Sequence, residues 1–197
     1  MLESLTLGGM VPFSTVDYPG ALAAVVFCQG CPWSCPYCHN THLQTGPAEG
    51  PTWSSVLTWL KIRQGLLDAV VFSGGEPTVQ PGLREALHQV RAMGYLTGLH
   101  TAGCDPKTFG TVLPLLDWVG LDIKAPRTDY DRITGQPGSD APAWETLNLL
   151  LASGLPHQIR TTVHPEWLPP ASLDKLDQEL LKVGASPTFR QPFRPPV

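Results

Sequence analysis

Several features are missing from this sequence, and their absence narrows the kinds of protein it encodes. No apolar run approaches the roughly 20 residues that span a bilayer, and Met1-Leu2-Glu3-Ser4 lacks the basic start of a secretory signal. Basic residues number 13 against 17 acidic ones and form no cluster, whereas nucleic-acid binders carry a basic surface. We therefore expect a cytoplasmic protein with no membrane or nucleic-acid partner.

The length of the chain also argues against a second domain. With 197 residues, the chain is long enough to bury one sizeable core and short for two. It contains no internal repeat, low-complexity stretch or interdomain linker, and its 42% of hydrophobic residues is typical of a globular protein. We predict a single domain over residues 1–197.

Short apolar runs alternate with segments of helical periodicity along the chain. One example is the apolar run 69–72, which is followed by helical spacing over 83–90 and by Gly94 at the expected helix end. This alternation indicates parallel strands with right-handed helical crossovers. Five or six such units are fewer than the eight of a closed barrel. We therefore predict an α/β fold, a partial (β/α)6 TIM-like barrel, with an open doubly wound sheet as the alternative. The strand-like runs are 22–27, 69–72, 95–99, 118–123, 158–163 and a sixth candidate, 187–193.

The reactive and polar residues are concentrated at the ends of the predicted strands. Because the carboxyl ends of parallel strands share one rim, where active sites form, we expect these residues to meet. They are the cysteine cluster after the first strand, Ser73-Gly74-Gly75-Glu76-Pro77 after the second, His100 and Thr101 after the third, Asp122 and Lys124 at the end of the fourth, and Thr162 and His164 at the end of the fifth.

The cysteine cluster places three soft thiolates on one short loop. Cys31, Cys35 and Cys38 have the spacing C-x3-C-x2-C. Thiolates hold iron–sulfur clusters, commonly four to a cluster, so three would leave one iron open to an outside ligand. The alternatives are unligated thiols and a structural zinc site that uses the nearby His39 and His42, although zinc ligands usually come in pairs spaced further apart.

Two further cysteines are less informative. Cys28 extends the pattern to four cysteines, which allows a fourth ligand, but it sits at the end of a strand-like run. We interpret it as a small hydrophobic residue of the core. Cys104 is interpreted as a free thiol.

The residues around the cysteine loop resemble the radical SAM superfamily. The matching stretches are Val16-Asp17-Tyr18-Pro19-Gly20, the run FCQGCPWSCPYCHN over 27–40, and Gly74-Gly75-Glu76-Pro77. Within the superfamily the sequence is similar to activating enzymes of glycyl radical enzymes, in particular to the activating protein of anaerobic ribonucleoside-triphosphate reductase. The resemblance spans nearly the whole chain, from Pro12 to Pro195.

This resemblance implies a role for each motif. Cys31, Cys35 and Cys38 would ligate three irons of a single [4Fe–4S] cluster, whose fourth iron would bind the amino and carboxylate groups of S-adenosylmethionine (SAM). Tyr37 would lie near the adenine, with plain packing as its alternative role. The Gly74-Gly75-Glu76-Pro77 motif would contact the SAM amino group, with a simple strand-to-helix turn as the alternative.

Other matched positions concern SAM or the substrate. Asp122 and Lys124 resemble a D-x-K element, and strand alternation places them on one face. Together they suit a zwitterionic ligand or, alternatively, a salt bridge that closes the barrel mouth. His164 matches a position that contacts the SAM ribose or carboxylate in related enzymes, or is an ordinary loop residue. Arg160 is expected to hold the substrate peptide, and Asp17 to shape the substrate side.

One motif departs from the family pattern. Related activating enzymes often carry Asp-Thr-Asn-Gly after the third strand, where this chain has His100-Thr101-Ala102-Gly103. The resemblance still assigns His100 and Thr101 to the SAM side, but the Asp that helps to hold a monovalent cation is missing. There is also no second cysteine-rich insert, so one cluster is expected.

The activity that the resemblance implies is reductive cleavage of SAM. A flavodoxin or ferredoxin would reduce the cluster, and SAM would break to methionine and a 5′-deoxyadenosyl radical. That radical would take a hydrogen atom from a glycine of a partner glycyl radical enzyme, expected to be anaerobic ribonucleotide reductase, and no catalytic residue is expected beyond the cluster and SAM. The alternatives are a carboxy-deazaguanine synthase-like enzyme that acts on a small molecule, and a non-catalytic zinc- or iron-binding interaction module.

Overall fold

A single seven-stranded sheet organises the chain in the computed structural model, which describes residues 5–195. The strands lie in the sheet in their chain order, and all neighbours from β2 to β7 are parallel. The expectation about a secretory signal falls on residues 1–4, which lie outside the described part. The strands are β1 (Leu7–Ser14), β2 (Ala23–Cys28), β3 (Ala69–Gly74), β4 (Leu96–Thr101), β5 (Trp118–Asp122), β6 (His157–Val163) and β7 (Phe189–Pro192).

Helices connect each pair of parallel strands. The six parallel strands with helical crossovers in an open sheet confirm the prediction of a partial (β/α)6 barrel. None of the helices in residues 5–195 combines the length and the apolar character that crossing a bilayer requires. The helices are α1 (Trp53–Lys61), α2 (Leu83–Ala92), α3 (Pro106–Val112), α4 (Tyr130–Thr134), α5 (Asp140–Ser153) and α6 (Pro170–Lys182).

Two elements were not predicted from the sequence. The strand β1 pairs antiparallel with β2 and forms one edge of the sheet. Its sequence, LGGMVPFS, contains two glycines and a proline, which are disfavoured in strands. The short helix α4 lies in the segment 125–142, and it ends at Gly135, whose φ of 70° is the left-handed conformation that glycine adopts readily.

The two faces of the sheet have different neighbours because successive strand residues point to opposite sides. One face packs against the helices and carries the main core, with fully buried residues such as Phe72, Leu99 and Leu121. The opposite, concave face carries a smaller apolar cluster that includes Val25, Val71 and other small or aromatic side chains. The carboxyl ends of the parallel strands β2 to β6 form one rim of this face.

The segment between β1 and β2 crosses the concave face, and we call residues 15–22 the crossing segment. The Tyr18 ring packs against Trp118 with 5.8 Å between ring centroids, and it lies over Gly98, where a side chain would meet it. Higher on the same face, His100 Nε2 donates a hydrogen bond of 2.9 Å to the carbonyl oxygen of Asp17. The crossing segment therefore fills the concave face near the amino ends of β4 and β5.

Candidate active site

The cysteine loop, the segment after β2 that carries Cys31, Cys35 and Cys38, begins with two backbone hydrogen bonds to residues further along the chain. Gly30 N–H donates to Leu43 O over 2.8 Å, and Cys31 N–H donates to Gln44 O over 3.1 Å. At its tip the loop meets α4, because Ser34 N–H donates to Thr134 O over 2.8 Å. These contacts fix the start and the middle of the segment that carries the three cysteines.

The three cysteines of this loop are free thiols near a cationic group. Cys31 and Cys38 are half-buried and Cys35 is buried. Burial raises the pKa of the Cys31 thiol to about 11, and the nearby Lys124 ammonium opposes this effect. The same ammonium acts against the burial effect on the pKa of Cys35.

The cysteine loop carries the donor atoms that an iron–sulfur cluster needs. Thiolates are the usual ligands of such clusters, and this loop offers three of them beside a positive charge that stabilises thiolate. Within residues 5–195, no three His, Cys, Asp or Glu side chains converge closely enough to hold one metal ion. The irons of a cluster are separate atoms, so their ligands need not converge on one point. The loop therefore fits a cluster.

Cys28, the last residue of β2, differs from the loop cysteines in its complete burial. Its side chain is fully buried within the main core, on the helix-covered side of the sheet. Burial raises the pKa of this thiol far above its usual value, so it stays protonated. The structure therefore agrees with the interpretation of Cys28 as a core residue.

The loop after β3 holds the cysteine loop through its backbone. Gly75 N–H donates to Cys28 O, and Glu76 N–H donates to Gly30 O, each over 2.9 Å. The approach is so close that a Cβ atom at Gly74 would strike the backbone of Cys28, and one at Gly75 would strike the Gly30 carbonyl. Glycine is needed at these two positions because only a residue without a side chain permits this contact.

The buried Glu76 carboxylate connects the end of β3 with the end of β4 through hydrogen bonds. It is 1% exposed. Its Oε1 accepts hydrogen bonds from the backbone N–H and hydroxyl of Thr78 (3.0 and 2.7 Å) and from the hydroxyl of Thr101 (2.6 Å). Its Oε2 accepts from Ala102 N–H over 2.8 Å. The side chain therefore fixes the β3 loop to the end of β4.

Glu76→Gln is expected to lower stability, since four donors surround the carboxylate and an amide nitrogen would face one of them. Leaving such a buried donor unpaired costs about 2–3 kcal/mol, which corresponds to a fall in thermal midpoint of about 4–12 °C for a chain of this size. The measurement is anaerobic thermal unfolding followed by circular dichroism. The matched control is Glu85→Gln on the exposed face of α2, which should leave the thermal midpoint unchanged. An unchanged midpoint in Glu76→Gln would contradict the stabilising role of the Glu76 hydrogen bonds.

Three charged side chains form a network at the ends of β5 and β6. Arg160 Nε donates to Asp122 Oδ1 over 2.8 Å, and Lys124 Nζ lies 3.8 Å from Asp122 Oδ2. Burial raises the pKa of the Asp122 carboxyl, but the two cations outweigh it and the pKa is lowered. The salt bridge that the sequence allowed is thus present, and Lys124 also lies near the cysteine loop.

His100 links this network to the crossing segment. Its ring donates to Asp17 O, and its Nδ1 lies 3.5 Å from the Ser73 hydroxyl. Burial, together with the charge of Arg160, lowers the pKa of His100 to about 4. The ring is therefore neutral at pH 7, with its proton on Nε2.

Tyr37 is part of the cysteine loop, and His164 lies beside it. Tyr37 is buried, and its ring stacks on that of His164 with 6.1 Å between centroids and 21° between planes. The Tyr37 hydroxyl donates to Lys124 O over 3.4 Å. Tyr37 therefore packs in the core and places His164 beside the cysteine loop, while its position near the adenine stays a prediction.

A family model described as the radical SAM superfamily matches residues 25–168. This match covers most of the chain, including the cysteine loop, the β3 loop and the network at β5 and β6. The chain belongs to the radical SAM superfamily. The cofactors that membership implies are SAM and an iron–sulfur cluster.

Curated relatives of this radical SAM chain are longer than it is. It is 33% identical over 121 residues to a candidate glycyl-radical enzyme activating enzyme of Methanocaldococcus jannaschii, covering 60% of this chain and 50% of the relative. It is 38% identical over 129 residues to the pyruvate formate-lyase-activating enzyme of Clostridium pasteurianum, covering 61% and 53%. It is also 36% identical over 148 residues to the PqqA peptide cyclase of Gluconobacter oxydans, covering 69% and 39%. The chain therefore spans about half the length, or less, of these relatives.

Solved structures share the fold at low sequence identity. Native anSMEcpe with bound AdoMet superposes with a TM-score of 0.68 at 16% identity, over 86% of this chain and 51% of that one. A domain of pyruvate-formate lyase-activating enzyme from Bacteroides vulgatus gives a TM-score of 0.53 at 16% identity, over 62% of this chain and 78% of that one. These likenesses support the radical SAM fold of this chain.

The structure gathers most of the predicted residues of this radical SAM chain around one rim. Sequence reasoning missed Thr78, which supplies two of the donors to Glu76, although a Thr directly after the Gly-Gly-Glu-Pro motif was a usable signal. It also missed Tyr130, whose buried ring meets Trp33 edge-on at 5.9 Å. No periodic pattern marks the segment that holds Tyr130. The predicted residues found at the rim are Cys31, Cys35, Cys38, Tyr37, Gly74, Gly75, Glu76, Pro77, Thr101, Asp122, Lys124 and His164, with His100, Arg160 and Asp17 on the concave face.

Proposed function

We propose that this chain is the catalytic domain, over residues 1–197, of an activating enzyme that cleaves SAM reductively and generates a glycyl radical on a partner enzyme. One observation carries the proposal. The backbone of Gly75 and Glu76 is hydrogen-bonded to the start of the cysteine loop, and Lys124, which pairs with Asp122, lies near Cys31 and Cys35. A cluster and a zwitterionic amino acid group would therefore meet at one rim.

Cys31, Cys35 and Cys38 would hold a single [4Fe–4S] cluster. When bound, the cluster supplies one electron that cleaves SAM to methionine and a 5′-deoxyadenosyl radical. The chain positions the reactants and limits side reactions. The buried side of the cysteine loop, with Tyr37 and the main core beneath it, keeps water away from the thiolates.

The charged network suits the two ends of the amino acid part of SAM. Lys124 carries a positive charge beside the loop, since burial lowers its pKa but the Asp122 carboxylate outweighs this effect and raises it. It would attract the SAM carboxylate. The β3 loop would orient the amino group, while its Glu76 side chain stays internal and holds the loop in place.

The partner is proposed to be anaerobic ribonucleotide reductase, and the reductant a flavodoxin or ferredoxin. The motif resemblance described above favours this partner, and the relatives named as activating enzymes favour the broader class. The open edge between β1 and β7 leaves the concave face accessible from the side, as a polypeptide substrate requires. Arg160, one of whose five N–H groups donates to Asp122, would face that substrate.

A second candidate is modification of a peptide other than a glycyl radical enzyme. The similarity to the PqqA peptide cyclase covers a longer stretch than the other relatives described here, 148 residues. The same open concave face would admit such a peptide. The two candidates differ in the polypeptide and share the SAM chemistry.

The experiment that tests the proposal is anaerobic reconstitution with iron and sulfide, followed by dithionite and SAM, with 5′-deoxyadenosine quantified by chromatography. We expect 5′-deoxyadenosine to form in proportion to bound iron. Addition of an anaerobic ribonucleotide reductase should then give the electron paramagnetic resonance doublet of a glycyl radical. SAM cleavage with no glycyl radical on any such enzyme would favour the peptide candidate, and bound zinc without SAM cleavage would favour the interaction module.

A further inference from the structure

The edge of the sheet at β1 carries exposed apolar side chains and almost no charge. Val11, Phe13 and Val16 are 39%, 55% and 85% exposed, and we call these three residues the β1 surface. Residues 5–22 contain a single charged residue, Asp17. Sheet edges that stay in water are usually protected by charged side chains. The β1 surface therefore has the composition of a contact surface for another protein.

The β1 surface is continuous with the concave face of the sheet. Val11 pairs with Val25 across the antiparallel ladder, and directly opposed residues of such a ladder point to the same face. Val25 belongs to the apolar cluster of the concave face, so Val11 lies at the edge of that face. Val16 lies in the crossing segment, directly before Asp17, whose carbonyl oxygen is hydrogen-bonded to His100. A polypeptide that covers the β1 surface would thus lie beside the concave face.

One position of β1 leaves the edge of the concave face open toward the rim. Gly9 pairs with Phe27, which packs against the apolar cluster of the concave face and lies next to the last residue of β2. No atom lies within 4 Å of the position that a Cβ of Gly9 would take. Because this position has no side chain, an extended chain can pass over β1 here and reach the strand end that leads into the cysteine loop.

Two features of β1 disfavour a second copy of this chain as the occupant. To join the sheets of two copies, two β1 strands would have to pair through their outer backbone edges. Pro12 has no N–H to donate. Near the start of β1, the Leu7 carbonyl already accepts a hydrogen bond of 3.1 Å from Gly50 N–H. The β1 surface is therefore suited to contact through side chains and not to extension of the sheet.

We propose that the β1 surface binds the body of the glycyl radical enzyme, and that the glycine loop of that enzyme passes over Gly9 into the concave face. This inference deepens the proposed function and rests on it. An uncharged, apolar surface fits a partner that presents apolar and aromatic side chains. The concave face would hold the glycine loop, whereas the β1 surface would add affinity for the rest of the enzyme and take no part in SAM cleavage.

The test separates the complete partner from its glycine loop. Phe13→Asp and Val16→Asp place a charge on the β1 surface, Phe13→Leu keeps it apolar, and Leu181→Asp is the matched control on the exposed side of α6. One substrate is an anaerobic ribonucleotide reductase, read by the electron paramagnetic resonance doublet of the glycyl radical. The other is a synthetic peptide of its glycine loop, deuterated at the glycine and read by deuterium transferred to 5′-deoxyadenosine.

We expect the two Asp variants of the β1 surface to raise the reductase concentration needed for half-maximal radical formation roughly tenfold or more, the effect of losing one well-packed anchor residue. Iron content, SAM cleavage with dithionite alone and deuterium transfer from the peptide should match the wild type, because none of them uses the β1 surface. Phe13→Leu and Leu181→Asp should match the wild type with both substrates.

Three outcomes would overturn the inference and leave the proposed function standing. The first is unchanged activation of the reductase in both Asp variants, and the second is an equal loss with reductase and peptide, which would place the defect in the site itself. The third is a wild-type dimer in size-exclusion chromatography that Phe13→Asp dissociates, which would assign the β1 surface to a second copy. If the wild-type protein cleaves SAM but takes hydrogen from neither substrate, the proposed function fails and the inference fails with it.

Discussion

Replacement of Cys35 by Ala is expected to reduce the iron retained after anaerobic reconstitution to less than about a tenth of the wild-type amount, since thiolate ligation is what holds such clusters. SAM cleavage should fall to background with it. Cys35 is the middle thiol of the loop and is itself buried, so no solvent ligand is positioned to replace it. The measurements are iron and sulfide assays, the visible absorption of the cluster, and 5′-deoxyadenosine formation.

The matched control for this loss is Cys28→Ala. Cys28 lies seven positions earlier in the chain, at the end of β2 and outside the C-x3-C-x2-C spacing, and it is fully buried. Its replacement removes one buried sulfur and should cost about 1 kcal/mol of stability while iron content stays at the wild-type level. Full iron and activity in Cys35→Ala would refute the assignment of the loop, and loss of iron in Cys28→Ala would make that residue a ligand.

Gly75→Ala is expected to disrupt the cysteine loop although it leaves every thiol in place. The added Cβ would meet the Gly30 carbonyl, a backbone atom that cannot turn aside, so one of the two loops must move. Overpacking of this kind costs about 3 kcal/mol, and it would break the hydrogen bond from Glu76 N–H to the same carbonyl. We expect less iron per chain, faster loss of cluster absorbance in air, and a lower thermal midpoint.

Gly9→Ala separates this steric effect from the general cost of replacing a glycine in this fold. A Cβ at Gly9 of β1 has open space around it, so iron content and thermal midpoint should match those of the wild type within error. Wild-type iron retention and cluster lifetime in Gly75→Ala would mean that the close approach of the two loops has no part in holding the cluster.

The sequence was sufficient for the parallel sheet and for the rim on which the site lies. Apolar runs such as 69–72, which forms most of the strand Ala69–Gly74, are long enough, and spaced regularly enough, to indicate strands that helices cover on one face. Because parallel strands end at a common rim, the position of the cysteines, the glycine motif and Asp122 followed directly. These features depend on local pattern and on one topological rule.

Features that depend on distant contacts were not predictable in the same way. The sequence of β1 has only a weak preference for the strand conformation, and the strand forms because it pairs with β2. The contact of the motif at residues 74–77 with SAM stays a prediction, but the hydrogen bonds from Thr101 and Ala102 to the Glu76 carboxylate span 25 and 26 residues and were not predicted. The hydrogen bond between His39 and the Pro195 carbonyl spans 156 residues, a separation over which sequence periodicity carries no information.

The crossing segment has a consequence for how the chain is made. The bond between Asp17 and His100 spans 83 residues, and the ring that Tyr18 packs against, Trp118, is later still in the chain. At a synthesis rate of about 5–20 residues per second, residues 15–22 wait roughly 4–17 seconds for His100 to be translated. During that interval β1 and β2 can pair as a hairpin while Tyr18 stays in water. The part of the concave face that lies under the crossing segment is therefore covered late in translation, and a slow codon run between residues 20 and 118 would lengthen the exposure of Tyr18 in the nascent chain.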